Sequence, residues 1–369
     1  MRYDSGTVGG GSQMRVAVAR PGELGPGEIA AWHHMQRQTQ SLANPFLCPE
    51  FAIAVGTFSP SARVAVLTEG SEFIGFFPFE RRFFGIGTPM GGGLSDGQGV
   101  IHSPGTEWDP RELLRKCGLS AWRFHNLVEG QQSFASYADV VKPSSVIDLS
   151  DGFPAYRERL RTRSPHFLRE LARKARKLQR EAGELRFEAE SHDGADLRVL
   201  IRWKSDQLRR IGCSDIFDRP WVIDLIDYLS NMRQDTFGGR LSILYAGATP
   251  VAAHFGLRFC HVLSGWIPAY NMGFRKLSPG LLQHLRMAEA NAARGIRLIH
   301  MGTGTEGYKR TLRSGDLLVA EGLVIRGRMA AGPYRACGAG VGWARRQVKQ
   351  HPSLFRIADR TLRRYGRIG

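Results

Sequence analysis

Ala269-Tyr-Asn-Met-Gly-Phe-Arg-Lys-Leu-Ser-Pro-Gly-Leu-Leu-Gln283 reads as the exit of a strand running into a helix. Ser278 is a natural N-cap. Pro279 suits the first helical position, where its missing N–H would be unpaired anyway. Gly280 is out of character, since glycine inside a helix costs about 1 kcal/mol relative to alanine. In a first turn that cost makes sense where a ligand must approach the backbone. Free N–H groups and the positive end of the helix dipole make an anion such as a pyrophosphate the natural ligand. Arg275 and Lys276 add charge beside it, and Leu281 and Leu282 complete the turn. An ordinary capped helix start accounts for the same residues equally well.

Downstream, an amphipathic helix over 279–293 stops at Gly295, and a strand follows over 296–301. That strand leaves through Ile299-His-Met-Gly-Thr-Gly-Thr-Glu-Gly-Tyr-Lys-Arg310, whose glycines let the backbone pass close to a ligand. Glu306, Tyr308 and Lys309 then stand at the strand mouth. A last strand is expected over 317–325. Upstream, strands are expected over 241–246, 250–259 and 261–268, and His254 lies mid-strand among apolar residues. Helices are expected over 195–211 and 219–232. A long basic helical stretch from 151 is stopped by Gly183. Residues 14–150 repeat this order of helix, antiparallel strands, helix and strands. The strands 62–68 and 73–79 flank the turn Glu69-Gly-Ser71, and Asp109-Pro110 opens a short helix. The fold class is therefore α/β (α+β), organised as leader 1–13, unit 14–150, unit 151–327 and basic tail 328–369.

A strand, an anion-binding turn, a helix, a strand and a polar Gly-rich exit together resemble the core of a GCN5-related (GNAT) acyltransferase. More closely, the chain is similar to the cellulose-biosynthesis-associated (CelD/BcsL) acetyltransferases, and through them to the Fem-type aminoacyltransferases. Asn44-Pro-Phe-Leu-Cys-Pro-Glu-Phe51, Leu94-Ser-Asp-Gly-Gln-Gly-Val-Ile101, the basic helix 161–180, Ser278-Pro-Gly280 and Tyr308-Lys309 carry the resemblance in that order. It implies tandem GNAT-like units, each a mixed, largely antiparallel sheet flanked by helices. It also implies acetyl-CoA or another acyl-CoA as co-substrate, bound at Arg275, Lys276, Ser278, Gly280, Leu281 and Leu282. The Fem pattern places Asp96 and Lys309 in the acceptor site.

Acyl transfer from a thioester requires a base for the attacking amine or hydroxyl, a donor for the oxyanion and a proton for the departing thiolate. Glu306, His254 and Asp96 are candidates for the base. Tyr308 and Tyr270 are candidates for the acid, and Lys309 suits an anionic acceptor such as a phosphate-linked sugar. His254 fits a satisfied core histidine as readily, and Tyr308 a packing residue.

The chain has 369 residues and a net charge of +17, so it attracts polyanions. The run Arg157–Arg180 could contact phosphates, yet no helix-turn-helix, zinc-finger or RNA-binding signature accompanies it. Nucleic acid is therefore expected only as a tRNA-borne donor. The tail mixes Trp343, Val348, Leu354, Phe355 and Ile357 with many Arg and Lys, and Pro352 interrupts it. It suits an anionic membrane surface at the inner face or packing on the body of the protein, whereas the run Arg157–Arg180 suits a solvated helix. Without an 18-residue apolar run or a signal peptide, a cytoplasmic location is expected. Five scattered cysteines argue against disulfides and a structural zinc, and no metal is expected. The acceptor class is a small molecule or glycan. A Fem-like aminoacyltransferase and a non-catalytic polyanion-binding scaffold are the competing readings.

Overall fold

The computed structural model describes residues 14–304 and 307–327. The leader, Glu306 and the tail lie outside the described residues. The first half contains β1 (Arg15–Ala19), α1 (Pro26–Gln38), α2 (Pro49–Phe58), β2 (Ala62–Glu69), β3 (Glu72–Arg81), β4 (Ile86–Thr88), β5 (Ile101–His102), α3 (Pro110–Lys116), β6 (Ala121–Leu127) and β7 (Ala138–Asp148). The second contains α4 (Gly152–Arg163), α5 (Pro165–Ala182), β8 (Leu185–Glu188), α6 (Gly194–Arg210), α7 (Pro220–Asn231) and β9 (Phe237–Ala246). It continues with β10 (Thr249–Phe259), β11 (Val262–Tyr270), α8 (Pro279–Ala293), β12 (Leu298–Thr303), α9 (Gly307–Leu312) and β13 (Gly315–Ile325).

The described strands form one 13-stranded sheet in the order β1-β2-β3-β4-β6-β13-β7-β12-β11-β10-β9-β8, with β5 paired to β3 off this path. The order is a palindrome. Matching β1, β2, β3, β4, β6 and β7 to β8, β9, β10, β11, β12 and β13 leaves it unchanged when read from the other end. The pairing senses match too. Each half has one parallel pair, β4–β6 and β11–β12, and the other neighbours are antiparallel. The repeat of elements is thus a repeat of topology. Its closing strands are exchanged: β13 of the second half inserts between β6 and β7, and β7 of the first pairs with β12.

Packing follows the same plan. The two helices between the first and second strands of each half, α1 and α2 against α6 and α7, share one core. It runs from Trp32 and Phe51 through Leu225 to Phe255. On the other side, α3 covers the first half over Phe77, Leu113 and Trp122. The second half is covered by α4, α5 and α8 over Leu160, Leu171 and Met287.

Local sequence explains the element ends. Asp109 accepts from the Glu112 N–H at 2.7 Å and starts α3 as expected. The basic stretch is two helices rather than one. Pro165 lacks the N–H a continuous helix needs, and Ser164 before it is driven out of the helical region (φ −141°). Among the described residues no helix is long and apolar enough to cross a membrane, and no disulfide joins the described cysteines. Cys48 and Cys117 are buried, Cys260 is half-buried and Cys213 is exposed.

Candidate functional site

The parallel strands β11 and β12 pair only over Val262–Ser264 and Leu298–His300. Beyond that they part. β12 stays with β7, with Gly302 opposite Ser145 and Thr303 opposite Ser144, while β11 stays with β10. A register slip at Phe255/Gly256 leaves Trp266 as the extra residue of β11. The opening holds a cavity of about 130 Å³. Its wall takes Gly265, Trp266 and Pro268 from β11, and Ile299 to Thr303 from β12. It also takes His254 from β10, His284 and Met287 from α8, Lys204 from α6, Tyr308 and Lys309 from α9, and Asp96 from the first half.

Four of the five expected catalytic residues, Asp96, His254, Tyr308 and Lys309, therefore meet around one cavity although they lie far apart in sequence. Glu306 is the fifth and is outside the described residues. His284, His300 and Lys204 were not foreseen. His284 sits four residues after Gly280 on α8, and that spacing is the signal the sequence offers for it.

Each side chain is held by a specific contact. Asp96 sits in a loop anchored by Gln98, whose Oε1 accepts from the backbone N–H of His125 and Asn126 at 2.8 and 3.1 Å. The Trp266 indole N–H donates to the Leu94 carbonyl at 3.0 Å and ties this loop to the second half. Phe46 and Phe51 pack edge-on against Trp266, which gives the Asn44–Phe51 motif its role as a docking wedge. Gly302 has φ +73°, and a Cβ there would lie 3.1 Å from Asp96 Oδ2, so only glycine lets Asp96 approach β12 this closely. α9 is pinned from α4: Tyr156 donates to the Leu312 carbonyl at 2.8 Å and Arg163 to the Thr311 carbonyl at 2.9 Å. Lys309 is buried and donates to the Thr303 carbonyl at 2.5 Å.

Burial dominates the electrostatics. It pushes the Asp96 carboxyl up to about 6, against the pull of Lys309 and Lys142. It drives His254 down to about 3, helped by His284, and His300 down to about 4. His284 is lowered by burial as well, opposed by its bond to the Gly280 carbonyl. All three imidazoles are neutral at pH 7. A second cavity, about 160 Å³, opens on the side of Gln40, Ser41 and Asn44 and shares Asp96 and His300 with the first.

The expected donor residues surround the start of α8. Ser278 takes the N-cap position in the left-handed region (φ 53°), and its side chain does not cap. Its hydroxyl instead accepts from Lys174 Nζ on α5 at 3.1 Å. The strained backbone turns the Ser278 carbonyl onto the Leu281 and Leu282 N–H groups, and both leucine side chains pack into the core. Leu282 is buried and Leu281 half-buried. Gly280 has a packing reason: a Cβ would lie 3.3 Å from the Tyr270 ring. Arg275 and Lys276 are exposed beside it. The first turn of α8 contains no acidic residue, whereas the equivalent α3 is capped by Asp109 and has Glu112 in its first turn. Only α8 of this pair can welcome an anion.

Residues 165–310 match the family described as an acetyltransferase (GNAT) domain. That stretch is similar to acetyltransferase (GNAT) domains, and the chain is an acyltransferase by class. Among solved structures it is similar to a tandem GNAT protein from the clavulanic acid biosynthesis pathway, at 10% identity and a TM-score of 0.49, covering 85% of this chain and 99% of that one. The C-terminal domain of a putative lysylphosphatidylglycerol synthetase from Agrobacterium fabrum shares 11% identity at a TM-score of 0.49, covering 83% and 93%. FemX shares 9% at 0.46, covering 71% and 87%. Similarity at this level says nothing of substrate. No curated protein matches.

Proposed function

We propose that this protein transfers an acyl group, acetyl in the first instance, from acyl-CoA to an amine or hydroxyl of a small-molecule or glycan acceptor. A sugar intermediate of exopolysaccharide or cellulose assembly is the acceptor class that the CelD-like motifs suggest. The observation that carries the reading is the cavity between the splayed β11 and β12, where Asp96 of unit 14–150 faces His254, Tyr308 and Lys309 of unit 151–327. In this reading the donor's phosphates lie at the start of α8 against Arg275, Lys276 and the Gly280 backbone, with the thioester reaching into the cavity. Asp96 accepts a hydrogen bond from the acceptor's N–H or O–H, Lys309 orients an anionic acceptor, and Tyr308 stands by the leaving sulfur.

Thermal stability with acetyl-CoA tests the donor. Plain CoA and polyphosphate at equal ionic strength are the controls. Ligand at about a hundred times its Kd adds about 2.7 kcal/mol, a rise in Tm of several degrees. A rise confined to CoA species supports the reading, and one that polyphosphate reproduces contradicts it.

A second reading has one observation in its favour. α5 carries Arg169, Arg173, Arg176, Lys177 and Arg180 and reaches the start of α8 through Lys174. Such a basic margin suits a donor borne on tRNA. Aminoacyl-tRNA would then support turnover, and acyl-CoA would not.

A further inference from the structure

The imidazole of His284 has one assignable tautomer. Its Nδ1 lies 2.7 Å from the Gly280 carbonyl oxygen. A carbonyl can only accept, so Nδ1 must carry the hydrogen. In a neutral ring Nε2 then holds a lone pair. No side chain or backbone group among the described residues is bonded to Nε2, and the ring lines the cavity between β11 and β12. The ring plane is held from two sides, by Tyr308 at 4.9 Å between centroids and His254 at 5.7 Å. It sits within the first two turns of α8, where the positive end of the helix dipole opposes an imidazolium.

We propose that His284, as the Nδ1–H tautomer, is the general base of the reaction. The assignment rests on the acyl-transfer reading above. As the acceptor's nitrogen or oxygen bonds to the acyl carbon, His284 Nε2 takes the proton that this atom releases. The carbon–sulfur bond then breaks, and the proton passes from Nε2 to the departing thiolate, giving the acylated acceptor, CoA thiol and neutral His284. The Gly280 carbonyl stabilises the transient imidazolium through its bond to Nδ1–H. Burial holds the free imidazole neutral, so the base is available throughout the neutral range.

The test has two arms. Long-range ¹H–¹⁵N NMR of the ring nitrogens, read against His284→Gln for assignment, should show Nδ1 protonated and Nε2 bare at pH 7. A protonated Nε2 overturns the proposal whether or not acyl-CoA is the donor. The second arm is steady-state kinetics of His284→Asn, whose amide can keep the bond to Gly280 while lacking the base. A kcat lower by about a hundredfold or more is expected, with acyl-CoA KM within about twofold of wild type and partial rescue by added imidazole. His284→Gln repeats the measurement should the asparagine variant melt early. A folded variant with wild-type kcat, or with a lost kcat that imidazole does not restore, overturns the assignment. Wild-type protein that turns over no acyl-CoA removes the donor reading instead, and the tautomer measurement then stands alone.

Discussion

At the scale of single residues, the site consists of groups whose charge states burial has rearranged. His254, His284 and His300 have folded pKa values below the usual histidine value. Between pH 6.5 and about 4 the unfolded chain therefore binds protons that the folded chain does not, and stability is lost as pH falls through this window. The slope is up to about 1.4 kcal/mol per pH unit for each histidine. Asp96 acts in the opposite sense. Its folded pKa of about 6 lies above its unfolded value, so its contribution is present at low pH and lost as pH rises towards 6. Three groups outweigh one, and Tm should drop on acidification below about pH 6.5. His300→Gln should flatten that slope by about half between pH 4 and 6 in an unfolding titration. An unchanged slope would mean that His300 is protonated in the folded protein. Gly302→Ala belongs to this scale as well. It meets both a positive φ and the Asp96 carboxylate, and should lower acceptor turnover more than tenfold while CoA binding persists.

At the scale of elements, most of what the sequence offered was periodicity and capping, and these placed the helices and strands of the second half within a few residues. Asp109-Pro110, Ser278-Pro279 and Gly295 each mark a real helix boundary. The break at Ser164-Pro165 was hidden because the basic pattern continues across it, and β1 and α9 are too short for a period to show. The candidate residues were legible one at a time. Their convergence was not, because Asp96 reaches the cavity through a loop whose path is fixed by Gln98 and Trp266 rather than by any local pattern. Trp266→Phe tests this tether. It deletes the bond to the Leu94 carbonyl and should cost about 1 kcal/mol of stability. It should also raise acceptor KM about tenfold, leaving donor KM alone. Equal changes in both constants would show that the loop acts on the whole cleft.

At the scale of the whole molecule, the palindromic sheet explains why the site is composite. Because β7 and β13 are exchanged, neither half closes its own sheet, and the cleft of the second half can be walled by a loop of the first. The fragment 151–327 lacks β7, which leaves β12 with an open edge and β13 without neighbours; it should aggregate or melt without a cooperative transition. Extension to 138–327 restores β7 and should recover part of the fold. A monomeric, cooperatively melting 151–327 would show that the exchange is dispensable. Only α8 of the two equivalent helices has a start free of acidic residues, and in the proposed function one unit therefore binds donor while the other contributes to the acceptor side. The most direct measurement of this division is acyl-CoA turnover by Asp96→Asn at saturating donor, with CoA binding measured on the same sample. The composite site predicts kcat/KM for the acceptor lower by about tenfold or more, the loss of a hydrogen bond to a charged group, with CoA affinity unchanged. Wild-type turnover in that variant would contradict it and confine the chemistry to the second unit.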